Sequence, residues 1–148
     1  ALSGLAEFDQ YIDGDKLVHV LHDYDSSLLK QLADALLNKD IATCLSIYQD
    51  LRIQNEEPVR LISTIANQIR FIYQVNVLYR KGLISEDLIA KELGVSPYRV
   101  KLAIRKIKIA TPERLLNILH ELSTLDVDIK SGKVDRFQGF ELFLLKDL

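Results

Sequence analysis

The chain has 148 residues, 48% hydrophobic and 27% charged, enough apolar material for one buried core and enough charge for a wetted surface. A formal net charge of −2 and a pI near 5.9 argue against a domain dedicated to gripping phosphate backbone, leaving room for a local basic patch. One cysteine, Cys44, rules out an internal disulfide framework and suits a reducing cytoplasm. No apolar run reaches the roughly 20 residues that span a bilayer, and the opening ALSGLAEF lacks the pattern of a secretory signal. Starting in mid-pattern and without Met, the chain is expected to be a piece of a longer one.

Alternating β-branched runs are missing, and nearly every segment carries apolar residues three and four apart, which predicts an all-α helical bundle. Short helical pieces are expected over residues 2–11 and 16–22, separated by Asp13-Gly14-Asp15. Asp25-Ser26-Ser27 reads as the cap of a helix carrying Leu28, Leu29, Leu32, Ala35 and Leu36. After the tight link Asn38-Lys39-Asp40, the residues Ile41, Leu45, Tyr48 and Leu51 mark the next helix.

The longest element is expected from Glu56-Glu57-Pro58, with acids in its first turn, to Arg80-Lys81, stopping at Gly82. Its ridge of Ile62, Ile65, Ile69, Ile72 and Val75 is widened by Leu61, Phe71, Leu78 and Tyr79, the mark of a central helix with several neighbours. Thr111-Pro112-Glu113 begins another helix, with Leu115, Leu116, Leu119, Leu122 and Leu125, that runs to Gly132. Asp135 reads as the cap of a last helix in which Phe137, Phe140, Leu142, Phe143 and Leu144 seal the bundle.

Between the longest helix and the one that begins at Thr111, SEDLIAKELGVSPYRVKLAIRK has the grammar of a helix-turn-helix. Ser85 can cap the first helix, Gly94 can end it, and Ser96-Pro97 can open the second. A recognition helix needs hydrogen-bonding side chains at its exposed N-terminal positions, whereas Pro97 has no donor, Leu102 is apolar and Tyr98 reads base edges poorly. Arg99, Lys101, Arg105, Lys106 and Lys108 do supply cations enough for phosphate contacts. A structural corner with a basic rim is the reading these residues favour, and a helix-turn-helix DNA-binding domain of a transcriptional regulator is the alternative.

Signs of chemistry are few. No glycine-rich phosphate loop is present. His19 and His22 could share a face, but a metal would need Asp15 or Asp23 as further ligands, and plain surface or interface histidines explain them better. His120 is expected to be a partly buried polar residue, and Cys44 an inert buried thiol. Asp126 and Asp128 are two apart and so diverge around a helix, while Asp126 with Lys130 makes an i,i+4 ion pair. Asp9, Asp13 and Asp15 lack the spacing of a calcium loop. No catalytic, cofactor or metal site is expected.

Several pieces together carry a resemblance. NQIRFIYQVNVLYRKGLISEDLIAKELGVSPYRVKLAIRK, then LLNILHELSTLDVDIKSGKVD and FELFLL, resembles the C-terminal part of the delta subunit of the bacterial DNA polymerase III clamp loader. The shared signature is Arg70 in a long helix, Lys81-Gly82, the run from Leu93 to Lys101, and the set Asp126, Lys130 and Gly132. It spans roughly residues 27–148.

The resemblance implies that residues 1–24 are the tail of an AAA+ lid domain and residues 25–148 a helical collar that holds a pentameric loader together, without ATP hydrolysis. The implied partners are other loader subunits, delta prime and tau/gamma in type, with the sliding clamp met by an N-terminal domain outside this chain. Primer-template DNA is a candidate ligand of the assembly. Lys130, Lys133, Arg136 and Phe137 around one helix break are candidate DNA contacts, as are Arg99, Lys101 and Arg105 on the corner; an ordinary solvated turn is the plainer reading of the first set.

Overall fold

The structure is a computed structural model, and it describes residues 28–83 and 85–146. The expected helices before residue 25, the histidines at 19 and 22, the acidic turn and the proposed boundary at residue 24 lie outside the described residues. Within them are seven helices and no strand: α1 (28–37), α2 (Ile41–Ile53), α3 (Pro58–Arg80), α4 (Glu86–Leu93), α5 (Pro97–Ile107), α6 (Pro112–Lys130) and α7 (Arg136–Leu144).

Local chemistry sets most of the boundaries. Asp40, Ser85, Ser96, Thr111 and Asp135 each cap the helix that follows by accepting a backbone N–H with the side chain. Each such bond satisfies a donor that the helix itself leaves orphaned. Proline stands at the start of α3, α5 and α6, where its missing N–H costs nothing. Gly94 ends α4 in the left-handed region, φ +69°, and its N–H returns to the Ala90 carbonyl.

α3 is the axis of the bundle and packs against α4, α5, α6 and α7. Its whole predicted ridge, Ile62, Ile65, Ile69, Ile72 and Val75, is buried, and so is Leu61. Near the C-terminal end of α3, Asn76 is fully buried and donates from Nδ2 to the Ala110 carbonyl just before α6, 3.3 Å away. At the other end Glu57 meets Arg136, at the start of α7, at 2.9 Å. α3 and α6 therefore run antiparallel. Tyr48, Phe140 and Phe143 form an aromatic seam in which α2 and α7 meet.

Arg114 ties the end of α1 to the start of α6. Its Nη1 donates to the carbonyls of Leu37 (2.7 Å) and Ile109 (3.3 Å), and its Nη2 donates to that of Leu36 (3.1 Å). The last carbonyls of α1 are thus met by a guanidinium from α6.

Four expectations need correction. The acids expected in the first turn of α3 precede it: Glu57 is an extended N-cap with no side-chain cap bond, and Glu56 is buried beside Arg60. His120 is exposed rather than partly buried. Ile41, Leu116 and Leu142, read as core-facing, are exposed, Leu142 at 62%. Leu116 and Leu142 fall on the outward arc of helices whose other face already fills the core with Leu115 and Ile118, and Phe140 and Phe143, whereas Ile41 shares the face of buried Tyr48 but is left open as the first residue of α2. Finally, α6 ends at Lys130, and Gly132, at φ +78°, lies in the turn beyond.

Candidate nucleic-acid interface

The two sets of candidate cations lie at different levels of the bundle. Arg99 sits beside Phe71 of α3, its guanidinium 4.5 Å from the ring centroid. Arg136 sits beside Glu57, so 14 residues of α3, or about 21 Å of helix, separate the two attachments.

On the corner, the caps and the left-handed Gly94 place α5 against α3 and α4 with Val100 and Ala103 buried. The opposite face is left to solvent. Tyr98, Lys101, Arg105 and Lys108 follow one another at spacings of three, four and three, so they share an arc of about 80° and a length of about 15 Å. All four are exposed, Tyr98 at 67%. Arg99 lies aside on Phe71, and Lys106 is paired with Asp34 of α1 at 2.9 Å. Among the described residues, Lys101, Arg105 and Lys108 form no ion pair.

The break between α6 and α7 is arranged otherwise. Lys130 is paired with Asp126 at 2.9 Å, as its spacing predicts, and Arg136 with Glu57 at 2.9 Å. Phe137 is half-buried, with the guanidinium carbons of Arg52 and Arg136 at 4.8 and 4.7 Å from its centroid. Its ring is therefore already in cation–π contact with two arginines. Lys133 is exposed, its backbone N–H bonded to the Asp128 carbonyl at 2.9 Å. The structure brings Lys130, Lys133, Arg136 and Phe137 to one end of the bundle and Arg99, Lys101 and Arg105 to another element, so the seven do not form one site.

Elsewhere the chemistry is quiet. Among the described residues no group of three His, Cys, Asp or Glu side chains could hold a metal ion. Cys44 is buried below a cleft edged by Leu36, Ile41 and Leu144, and burial, helped by the charge of Asp40, pushes its thiol up to about 11. Such a thiol carries no nucleophilic thiolate at neutral pH. Between α3 and α6 runs a shallow polar groove flanked by Ser63, Asn67, Arg70, Ser123 and Asp126. Among the described residues no helix is long and apolar enough to cross a membrane.

Sequence reasoning passed over Tyr98, weighing it only as a reader of base edges. The signal that finds it is its helical spacing with Lys101, Arg105 and Lys108. Glu57 as the neutraliser of Arg136 left no sequence signal, because the two meet only through the fold.

Comparison with known proteins adds three findings. The family described as "DNA polymerase III delta subunit, C-terminal domain" matches residues 30–147. DNA polymerase III subunit delta of Bacillus subtilis (strain 168) is 36% identical over 116 residues, covering 78% of this chain and 33% of that protein. A solved structure, the Bacillus subtilis DNA clamp loader delta protein, superposes with a TM-score of 0.74 at 35% identity, covering 81% of this chain and 35% of that one. The chain thus spans about a third of the length of both relatives.

Proposed function

Since this chain belongs to the family of C-terminal domains of the DNA polymerase III delta subunit, we propose that it acts as the collar of a replication clamp loader, holding the subunits together while a sliding clamp is placed on primed DNA. The observation that carries this reading is the likeness of its helical arrangement, over 81% of the chain, to a clamp loader delta protein. The physical character of the surface supports it. Val127, Leu142 and Leu88 are each more than half exposed, as expected of a domain that keeps lateral faces for neighbours.

In this reading the domain does no chemistry of its own. Its partners are loader subunits of the delta prime and tau/gamma types, and a preceding domain, to which residues 1–24 contribute the end of the lid, meets the clamp. The complex works in the cytoplasm. Primer-template DNA is a further ligand of the assembled loader, with Arg99, Lys101, Arg105, Lys130, Lys133, Arg136 and Phe137 as candidate contacts. The family match runs straight through the α4–α5 corner, so its helix-turn-helix shape belongs to the domain and lends no separate support to a transcriptional regulator.

The test is co-assembly. Mixed with the other loader subunits, the chain should elute with them in size-exclusion chromatography. Separate elution, under conditions where the full-length delta subunit assembles, would refute the collar reading.

A further inference from the structure

We infer that the outward face of α6 is a self-pairing surface, on which a second copy of this chain docks with its own α6 running antiparallel. The inference goes beyond the collar reading and does not depend on it.

Spacing is the first observation. Glu113, Leu116, His120, Ser123, Val127 and Lys130 follow one another at intervals of three, four, three, four and three. That is the heptad rhythm that keeps a seam on one side of a helix, here over about 26 Å. All six residues are exposed, Leu116 at 47% and Val127 at 61%.

The distribution of charge is the second. Between Glu113 and Lys130 the seam holds no acid, lysine or arginine, whereas the outward arc of α5 carries Lys101, Arg105 and Lys108. A middle without such charges, bounded by charged ends, is the layout of an interface core and its rim.

The order of the residues names the occupant. With a twofold axis between Glu121 and Leu122, an antiparallel second copy brings Leu116 opposite Val127, His120 opposite Ser123 and Glu113 opposite Lys130. The apolar side chains cover each other, imidazole and hydroxyl can share a hydrogen bond, and the acid meets the base; symmetry forms each contact twice. Glu113 has no ion pair among the described residues. Lys130 is held by Asp126 of its own helix, and its ammonium keeps donors for a second carboxylate. A parallel copy would set Glu113 on Glu113 and Lys130 on Lys130, which repels.

The stripe of Asp135, Gln138, Leu142 and Leu145 along α7 has the same rhythm and fails this comparison. Self-pairing there sets the Asp135 carboxylate against Leu145. On α6, one helix from each copy gives less area than a standard interface, and a polar middle layer trades affinity for register, so the pairing is weak and reversible.

The experiment is sedimentation equilibrium of the chain. Between about 10 μM and about 1 mM the average mass should rise from 16.9 kDa toward twice that value. Circular dichroism confirms the helicity of every variant. Leu116→Asp should weaken pairing at least tenfold, to about the level of a monomer. Glu113→Lys and Lys130→Glu should each weaken it about tenfold, since each variant faces like charges twice. Combined in one chain, the two exchanges should restore pairing to within about threefold of the original.

A monomer at every concentration overturns the inference, as does a dimer indifferent to Leu116→Asp or a double exchange that fails to restore pairing. A chain that stays monomeric alone, yet loses co-assembly with the loader subunits on Leu116→Asp, gives this face to a loader subunit and equally overturns self-pairing. Charge-dependent dimers that fail to co-assemble support the inference and sink the collar reading alone.

Discussion

Asn76 holds the Ala110 carbonyl with its Nδ2, and on its other side its Oδ1 accepts from Arg80 Nε at 2.7 Å. One fully buried amide thus fixes the entry to α6 against the axis helix. Replacing it with Leu removes both bonds and strands the Ala110 carbonyl, at a cost of about 1–3 kcal/mol. Hydrogen exchange should show the loss first around residues 108–112. Uniform loss of protection over all seven helices would contradict this local role.

The α2–α7 seam depends on Tyr48 and Phe140, whose ring centroids are 4.9 Å apart, and on the Tyr48 hydroxyl, which donates to the Phe137 carbonyl at 3.2 Å. Phe140→Ala should cost about 3–5 kcal/mol, since the ring is fully buried. Tyr48→Phe deletes a single hydrogen bond and should cost about 1 kcal/mol. Urea melts of the two variants check the ranking, and a reversal would move the weight of the seam from packing to hydrogen bonding.

Alkaline pH should loosen the fold through Cys44. Unfolded, the thiol ionises near its ordinary 9.0; folded, burial and Asp40 hold it protonated to about 11. The stability this represents is complete below pH 9 and is lost as pH rises toward 11, at about 1.4 kcal/mol per unit. Tyr48, raised above its ordinary 10.0 chiefly by burial, acts in the same direction at higher pH. Stability measured against pH should therefore be flatter for Cys44→Ala between 9 and 11, and parallel curves would show that the thiol is not responsible.

The corner turns on Gly94. A Cβ there meets nothing within 4 Å, so the cost of Gly94→Ala is purely that of holding φ at +69°, about 1–2 kcal/mol. Gly94→Asn should recover part of it, because asparagine tolerates this region better. Thermal melts giving equal stability for all three residues would mean that the turn rearranges on substitution.

Much of this architecture is written locally and can be read without coordinates. The caps at Ser85, Ser96, Thr111 and Asp135 act over two or three residues, and the ridge from Ile62 to Val75 obeys helical spacing alone. What stayed illegible depends on partners far away in the chain. Nothing near Asn76 announces that a polar side chain will be fully buried, since its acceptor is 34 residues off. Spacing also cannot say which arc of a helix is left uncovered, which is why Leu116 and Leu142 read as core. For the candidate interface the cations of α5 were visible, but their sorting into engaged and available was not. That sorting needs Asp34 and Phe71 in place.

Arg114 has a consequence for the order of assembly. Its bonds to Leu36 and Leu37 span 78 and 77 residues, so α1, the first described helix to be synthesised, is completed by one of the last. The entropic cost of closing so long a loop grows only logarithmically, whereas non-local closure slows the search. On a growing chain the final carbonyls of α1 have no guanidinium to meet until residue 114 has been made. α1 is therefore the helix that locks late, and a nascent chain stopped short of α6 would carry it as a loose end.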